Sequence, residues 1–131
     1  MFGNEVAFDS LKGRTLTAIE PLDMCRAMEE ITFVCADGAR FRMQHVQDCC
    51  ENVWVEEVVG NVSDLIGSPI IEAECVESSD DPDGFKHEYQ PESQTWTFYK
   101  LGTAKGFVTI RWLGTSNGYY SERVDFIRVP D

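Results

Sequence analysis

A chain of 131 residues and 14.8 kDa, with 43% hydrophobic and 11% aromatic content, has the size and the apolar fraction of a single domain with one core. Its 23 acidic against 11 basic side chains give a net charge of −12, which opposes direct contact with a nucleic-acid backbone or an anionic membrane surface, since both are met by Lys and Arg. No run approaches the roughly 18 apolar residues of a spanning helix, and Met1-Phe2-Gly3-Asn4-Glu5 lacks the basic and apolar regions of a signal peptide. The expected location is cytoplasmic.

In chain order, short segments with period-two alternation dominate, so the expected fold is mostly β: an antiparallel meander of about six to seven strands with one or two short helices. Leu16–Ile19 opens the series. A first short helix is expected over Leu22–Glu30, with Leu22, Cys25 and Met28 on one side. Glu30–Ala36 and Ala39–His45 flank Asp37-Gly38, a pair that tolerates positive φ and so predicts a hairpin. Val53–Val58 and Ile70–Val76 are two further strands, separated by a short helix over Asn61–Gly67 that stops before Pro69. Thr95–Leu101, Phe107–Leu113 and Tyr119–Val129 complete the set, with Asn117-Gly118 as a second hairpin turn.

Charge is unevenly placed. Residues 1–71 carry a net −7, residues 72–94 another −7, and residues 95–131 a net +2. The stretch 77–94 is rich in Pro, Gly, Ser and acidic side chains, and reads as a mobile acidic insertion in a single domain spanning 1–131.

Two segments concentrate reactive side chains. His45-Val46-Gln47-Asp48-Cys49-Cys50-Glu51 places an imidazole, two thiols and two carboxylates within seven residues. His45, Cys49 and Cys50 are weak candidates for a metal, because structural zinc takes two spaced ligand pairs and no second pair is evident. A nucleophilic thiol is the next reading, opposed by the negative Asp48 and Glu51. The bland alternative has His45 continuing the apolar face of Phe41 and Met43, with Cys49 and Cys50 as small packing residues. Five cysteines, an odd number without a secretory signal, favour reduced thiols over a disulfide framework.

The second segment is the C-terminal meander. Alternation sets Val108, Ile110 and Trp112 on one face against Phe107, Thr109 and Arg111 on the other, with Thr97 and Tyr99 alternating against Trp96 and Phe98. One face then reads as aromatic and apolar, the other as carrying hydroxyls and a guanidinium. Lys100, Arg111, Ser116, Asn117, Tyr119 and Tyr120 offer charge, amide, hydroxyl and stacking groups suited to a small anionic ligand. The alternative is a solvated face whose Arg pairs with an acidic neighbour such as Glu122 or Asp125.

Through Leu11–Thr17, His45–Glu51, Asp64–Ile70, Trp96–Lys100, Lys105–Trp112 and Ser116–Glu122, the sequence resembles an uncharacterised family of small phage and prophage proteins, a domain of unknown function. The resemblance implies a phage or prophage origin, hence the host cytoplasm, and an accessory protein that acts by binding. It brings no activity.

Three functions are weighed. The first is a non-enzymatic protein binding a small polar or anionic ligand through His45, Asp48, Glu51, Lys100, Arg111, Ser116, Asn117, Tyr119 and Tyr120, with sequestration of a host nucleotide signal as one version. The second is an acidic interaction module or inhibitor of a host nucleic-acid-binding protein. The third is a thiol- or metal-dependent hydrolase, for which no phosphate-binding glycine loop, nucleophile elbow or spaced His-Glu-His pattern is present. No cofactor is implied, and the oligomeric state is open.

Overall fold

The computed structural model describes residues 4–22 and 28–130. Eight strands form two four-stranded antiparallel sheets. The first, in the order β1-β2-β3-β8, is built from β1 (Leu16–Glu20), β2 (Glu30–Cys35), β3 (Arg40–Gln44) and β8 (Asp125–Arg128). The second, in the order β4-β7-β6-β5, is built from β4 (Asn52–Val59), β5 (Glu72–Ser78), β6 (Ser93–Thr103) and β7 (Gly106–Ser116). Two single 3-10 turns, Phe8–Leu11 and Val62–Leu65, are the described helical elements. The mostly β reading therefore holds, and the helix expected over 61–67 is one such turn, capped by Asn61 Oδ1 accepting from the Ser63 amide at 3.1 Å. The helix expected over 22–30 falls mainly on residues outside those described.

The sheets share one core. Ile31, Phe33, Phe41 and Met43 from the first sheet meet Val55, Tyr99, Leu101, Ile110 and Trp112 from the second, all at most 2% exposed. Phe8, on the N-terminal 3-10 turn, links the layers, with ring centroids 4.6 Å from Tyr99 and 5.0 Å from Phe126. Burial of this apolar surface is the main favourable term in folding.

Two hairpins fix the registers. Asp37-Gly38 joins β2 to β3 as expected: Gly38 has φ +90°, and Asp37 Oδ1 accepts from the Ala39 amide at 3.0 Å. Ala104-Lys105 joins β6 to β7 and pairs Thr103 with Gly106, so Tyr99 lies opposite Ile110 and Phe98 opposite Arg111. Directly opposed residues share a face. Thr97 and Tyr99 thus join Ile110 and Trp112 on the core face, while Trp96 and Phe98 join Arg111 and Leu113 outside. The expected division into an apolar face and a hydroxyl face is corrected by this register, since a shift of one residue exchanges faces.

Asn117-Gly118 is the second correction. It does not close a hairpin: after Ser116 the chain turns away, passes through 121–124 without strand pairing, and enters the other sheet as β8 beside β3. Gly114 permits the departure, because a Cβ there would lie 2.4 Å from the Glu122 carbonyl oxygen. Glu122, 7% exposed, anchors the tip by accepting from Thr95 Oγ1 at 2.8 Å and from the Ser116 hydroxyl.

The acidic connection between β5 and β6 lies over the outer face of the second sheet. Asp81 Oδ1 accepts from Trp96 Nε1 at 2.9 Å, from Gln94 Nε2 at 3.0 Å and from His87 Nε2 at 2.9 Å. Phe85 meets the buried Trp96 ring edge-on at 4.7 Å.

Candidate functional site

The segment 45–51 follows β3 and wraps around one carboxylate. Glu51, 1% exposed, accepts from the Asp48 amide at 2.8 Å and the Cys49 amide at 2.9 Å, and its Oε2 lies 2.6 Å from His45 Nε2. Gln47 Nε2 donates to the Glu51 carbonyl at 2.7 Å and closes the loop. Burial opposes ionisation of Glu51, but the Cys49 amide, His45 and the Asp48 amide together outweigh it and hold the carboxyl at about 2, well below 4.5. His45 Nδ1 lies 2.8 Å from the Arg123 carbonyl oxygen. Both ring nitrogens therefore face acceptors, and the ring, with its side chain 6% exposed, ties the loop to the segment before β8. His45 does continue the buried face of Phe41 and Met43.

Cys49 and Cys50 depart from the packing reading and from the expectation of reduced thiols. They are exposed rather than packed in the core, and they are joined to each other by a disulfide. The residues around them explain the exposure: Glu51 fills the inside of the loop and Gln47 bridges it to the Cys49 and Glu51 carbonyls, so its tip turns to solvent. Cys35 is a buried free thiol and Cys75 an exposed one on β5. Among the described residues, no group of three or more His, Cys, Asp or Glu side chains is arranged to hold a metal.

A cleft of about 470 Å³ opens between this loop and the chain leading into β8, lined by Glu5, His45, Gln47, Asp48, Arg123 and Asp125. A second depression of about 420 Å³ lies on the other side of Arg123, against Cys75, Glu77 and Tyr99. Arg123 has its side chain 62% exposed, and among the described residues its one ion pair is a long contact of 3.7 Å from Nε to Glu77. Beside it, burial pushes the Asp125 carboxyl up, and the hydrogen bond and negative charge of Glu5 add to that rise against the pull of Arg123 and His45. The cleft thus presents one loosely held guanidinium among carboxyl groups.

The other expected site residues lie elsewhere. Arg111 is on the outer face of the second sheet, its Nε 2.8 Å and its Nη2 still closer to Glu56 Oε1, with Glu57 3.2 Å from Nη2 and the Trp96 ring centroid 5.2 Å from Cζ. The acidic partners are Glu56 and Glu57, not Glu122 or Asp125. A bulge in β4 between Val55 and Glu57 turns Glu56 toward this arginine. Lys100 is exposed opposite Thr109. Ser116 ends β7 and Asn117, Tyr119 and Tyr120 form the tip beyond it, where Ser116 Oγ accepts from the Gly118 amide at 2.9 Å, Asn117 Oδ1 accepts from the Tyr119 amide at 2.9 Å, and Tyr119 stands 87% exposed. His45, Asp48 and Glu51 come together; Arg111, Lys100 and the tip residues do not join them at the cleft.

Sequence reasoning missed Glu5, Ser121, Arg123 and Asp125. Arg123 lies inside Tyr119–Val129, which its aromatic and β-branched content predicts as one strand, although Ser121-Glu122-Arg123 shows no apolar alternation, and that is the available signal.

The sequence model of DUF7448, described as a domain of unknown function, matches residues 9–126. The chain belongs to this family. The match runs from the 3-10 turn at Phe8–Leu11 into β8 and so includes the 45–51 loop, the cleft residues Ser121, Arg123 and Asp125, and both sheets. No curated protein and no solved structure matches this DUF7448 chain.

Proposed function

We propose that this DUF7448 domain is a non-enzymatic binding protein of phage or prophage type, acting in the host cytoplasm, that takes a small polar ligand in the cleft between the 45–51 loop and the chain entering β8. The observation that carries this reading is Arg123: a largely exposed guanidinium in the wall of a concave surface, held among the described residues by one long ion pair. An anionic group on the ligand would meet Arg123, and donors on the same ligand would meet Asp48, Glu5 and Asp125. Arg111 is already neutralised by two carboxylates, so Arg123 takes the role that the sequence assigned to Arg111. The lack of a free ring nitrogen on His45 weighs against hydrolysis by this segment, because a general base or a metal ligand needs one.

Native mass spectrometry of the freshly purified protein, set against its denatured mass, tests the reading directly. A retained small molecule that dissociates from Arg123→Ala, with folding unchanged by circular dichroism, is the expected result. A thermal-shift screen with inorganic phosphate, nucleoside monophosphates and amino acids supplies the second arm. Equal stabilisation of wild type and Arg123→Ala by an active compound removes this cleft from the binding reaction.

One observation favours a second reading, an acidic module that occupies a basic site on a host protein. Asp80, Asp83, Glu88 and Glu92 are all exposed on the 79–92 connection, which is held to the sheet through Asp81. Association through these charges would weaken steeply between low and high ionic strength, and a complex indifferent to salt would count against it.

A further inference from the structure

We propose that Cys49 and Cys50 are a thiol–disulfide exchange site for low-molecular-weight thiols and disulfides, and that the oxidation state of the pair sets the shape of the loop that walls the cleft. The second half rests on the cleft being the binding site; the first half does not.

Three observations carry the proposal. The two sulfurs are bonded to each other, and both residues are exposed, so a small thiol can reach either one. The free thiol of Cys35 is buried under the first sheet, and Cys75 lies on β5 in the other sheet, so neither competes for the same bond. The backbone at Cys49 is tied on both sides to the centre of the loop: its amide donates to Glu51 Oε1 at 2.9 Å, and its carbonyl accepts from Gln47 Nε2 at 3.2 Å. Gln47 and Asp48 are cleft-lining residues. A bond between neighbouring cysteines closes a small ring that contains the peptide link between them, so making or breaking it changes the backbone torsions there. Those torsions lie between the Asp48 and Cys49 amides and Glu51, so they set where the Glu51 carboxylate sits relative to the two amides that hold it.

The reaction balances by exchange alone. A thiolate of a small thiol attacks one sulfur of the pair; the Cys49–Cys50 bond breaks, and the electron pair leaves on the other sulfur, which takes a proton from water. A second small thiolate then attacks the mixed disulfide at the small-molecule sulfur, releasing the remaining cysteine as a thiol and the two small molecules as a disulfide. The protein pair gains two hydrogens as two small thiols are oxidised. The reverse reaction uses the small disulfide as oxidant.

The test equilibrates the full chain in glutathione buffers from fully reduced to fully oxidised, quenches with acid, alkylates under denaturing conditions and reads the intact mass. The chain has five cysteines. Five alkyl groups in reducing buffer, and in oxidising buffer a bridge mapped to the peptide holding Cys49 and Cys50, which is then neither alkylated nor glutathionylated, is the expected result. Cys49→Ser and Cys50→Ser each form no intramolecular bridge in any buffer, and lose alkyl groups only where glutathione adds its own mass. Amide hydrogen exchange in the two end buffers reads the second half: protection changes over 45–51 and 121–125 while the core strands stay constant. Five alkyl groups at every ratio, or a bridge that maps to Cys25, Cys35 or Cys75, overturns the exchange site. A bridge at Cys49–Cys50 with unchanged exchange over 45–51 overturns the coupling. Neither readout uses a ligand, so a cleft that binds nothing leaves the alkylation result standing.

Discussion

Glu51 shows how a single side chain can account for a whole unusual motif. The seven residues from His45 to Glu51 look reactive in one dimension, yet their acceptors and donors are spent on one another. The electrostatics give this a measurable sign. A carboxyl held at about 2 rather than 4.5 contributes stability that is complete above about pH 4.5 and is lost as the pH falls toward 2. Urea unfolding at a series of pH values should therefore show stability declining over that window, and Glu51→Gln should flatten part of the decline while lowering stability at neutral pH. An unchanged pH profile in that variant would separate the loop from this carboxylate. Asp125 has the opposite sign: its raised carboxyl gains stability as the pH falls through its folded value, so Asp125→Asn should stabilise the protein at neutral pH.

Two further residues have predictable costs. Thr97 Oγ1 is buried without a hydrogen-bond partner opposite Trp112 in the core. Removing an unpaired buried hydroxyl relieves its desolvation, so Thr97→Val should raise stability by about 1 kcal/mol in chemical denaturation. Arg111→Ala leaves Glu56 without its guanidinium beneath a largely closed surface, and should cost roughly 2–3 kcal/mol. Arg111 with Glu56 in a double-mutant cycle measures the coupling, and additivity of the two losses would contradict the pairing.

Among the elements, the strands were the most legible part of the sequence, because β-branched and aromatic residues at period two leave few other ways to bury one face. The Asp37-Gly38 turn was legible for the same local reason. Asn117-Gly118 has the same chemistry and a different outcome, since what decides it is the buried Glu122, which draws the chain past Gly114 and across to the first sheet. No local signal encodes that contact. The faces of β6 and β7 were misassigned because their relative register depends on the length of the Ala104-Lys105 turn, a quantity that alternation within each strand does not contain. The site was legible in part: the 45–51 motif was found, but its exposed disulfide and its cleft partners Glu5, Arg123 and Asp125 depend on long-range packing. Gly114→Ala tests the crossing, because the added methyl would meet a backbone oxygen that cannot rotate away. A loss of about 1–3 kcal/mol is expected from overpacking, and a neutral substitution would mean that the 121–124 segment can shift freely.

At the scale of the molecule, the charge of −12 and the two-sheet architecture belong together. Acidic side chains on the outer strand β5, Glu72, Glu74 and Glu77, discourage pairing of that edge with another chain. The 79–92 connection adds further negative charge over the outer face, where it shelters Trp96 and Leu113 beside Asp81 and Phe85. Releasing that connection by Asp81→Ala should expose its backbone, and limited proteolysis should then cut within 79–92 at least several-fold faster than in the wild type. Equal rates would show that the aromatic contacts alone suffice.

The position of β8 has a consequence for how the fold can be reached. The first sheet takes three of its strands from the beginning of the chain and its last from the end, with all four strands of the second sheet in between. During synthesis, β3 waits with an open edge until residues 125–128 emerge, and Phe126 cannot stack on Phe41, 5.5 Å away in the finished protein, before then. Closure of a loop that long is entropically slow. A nascent chain halted after residue 120 should remain open to protease at β1–β3 even though every strand of the second sheet has already been made.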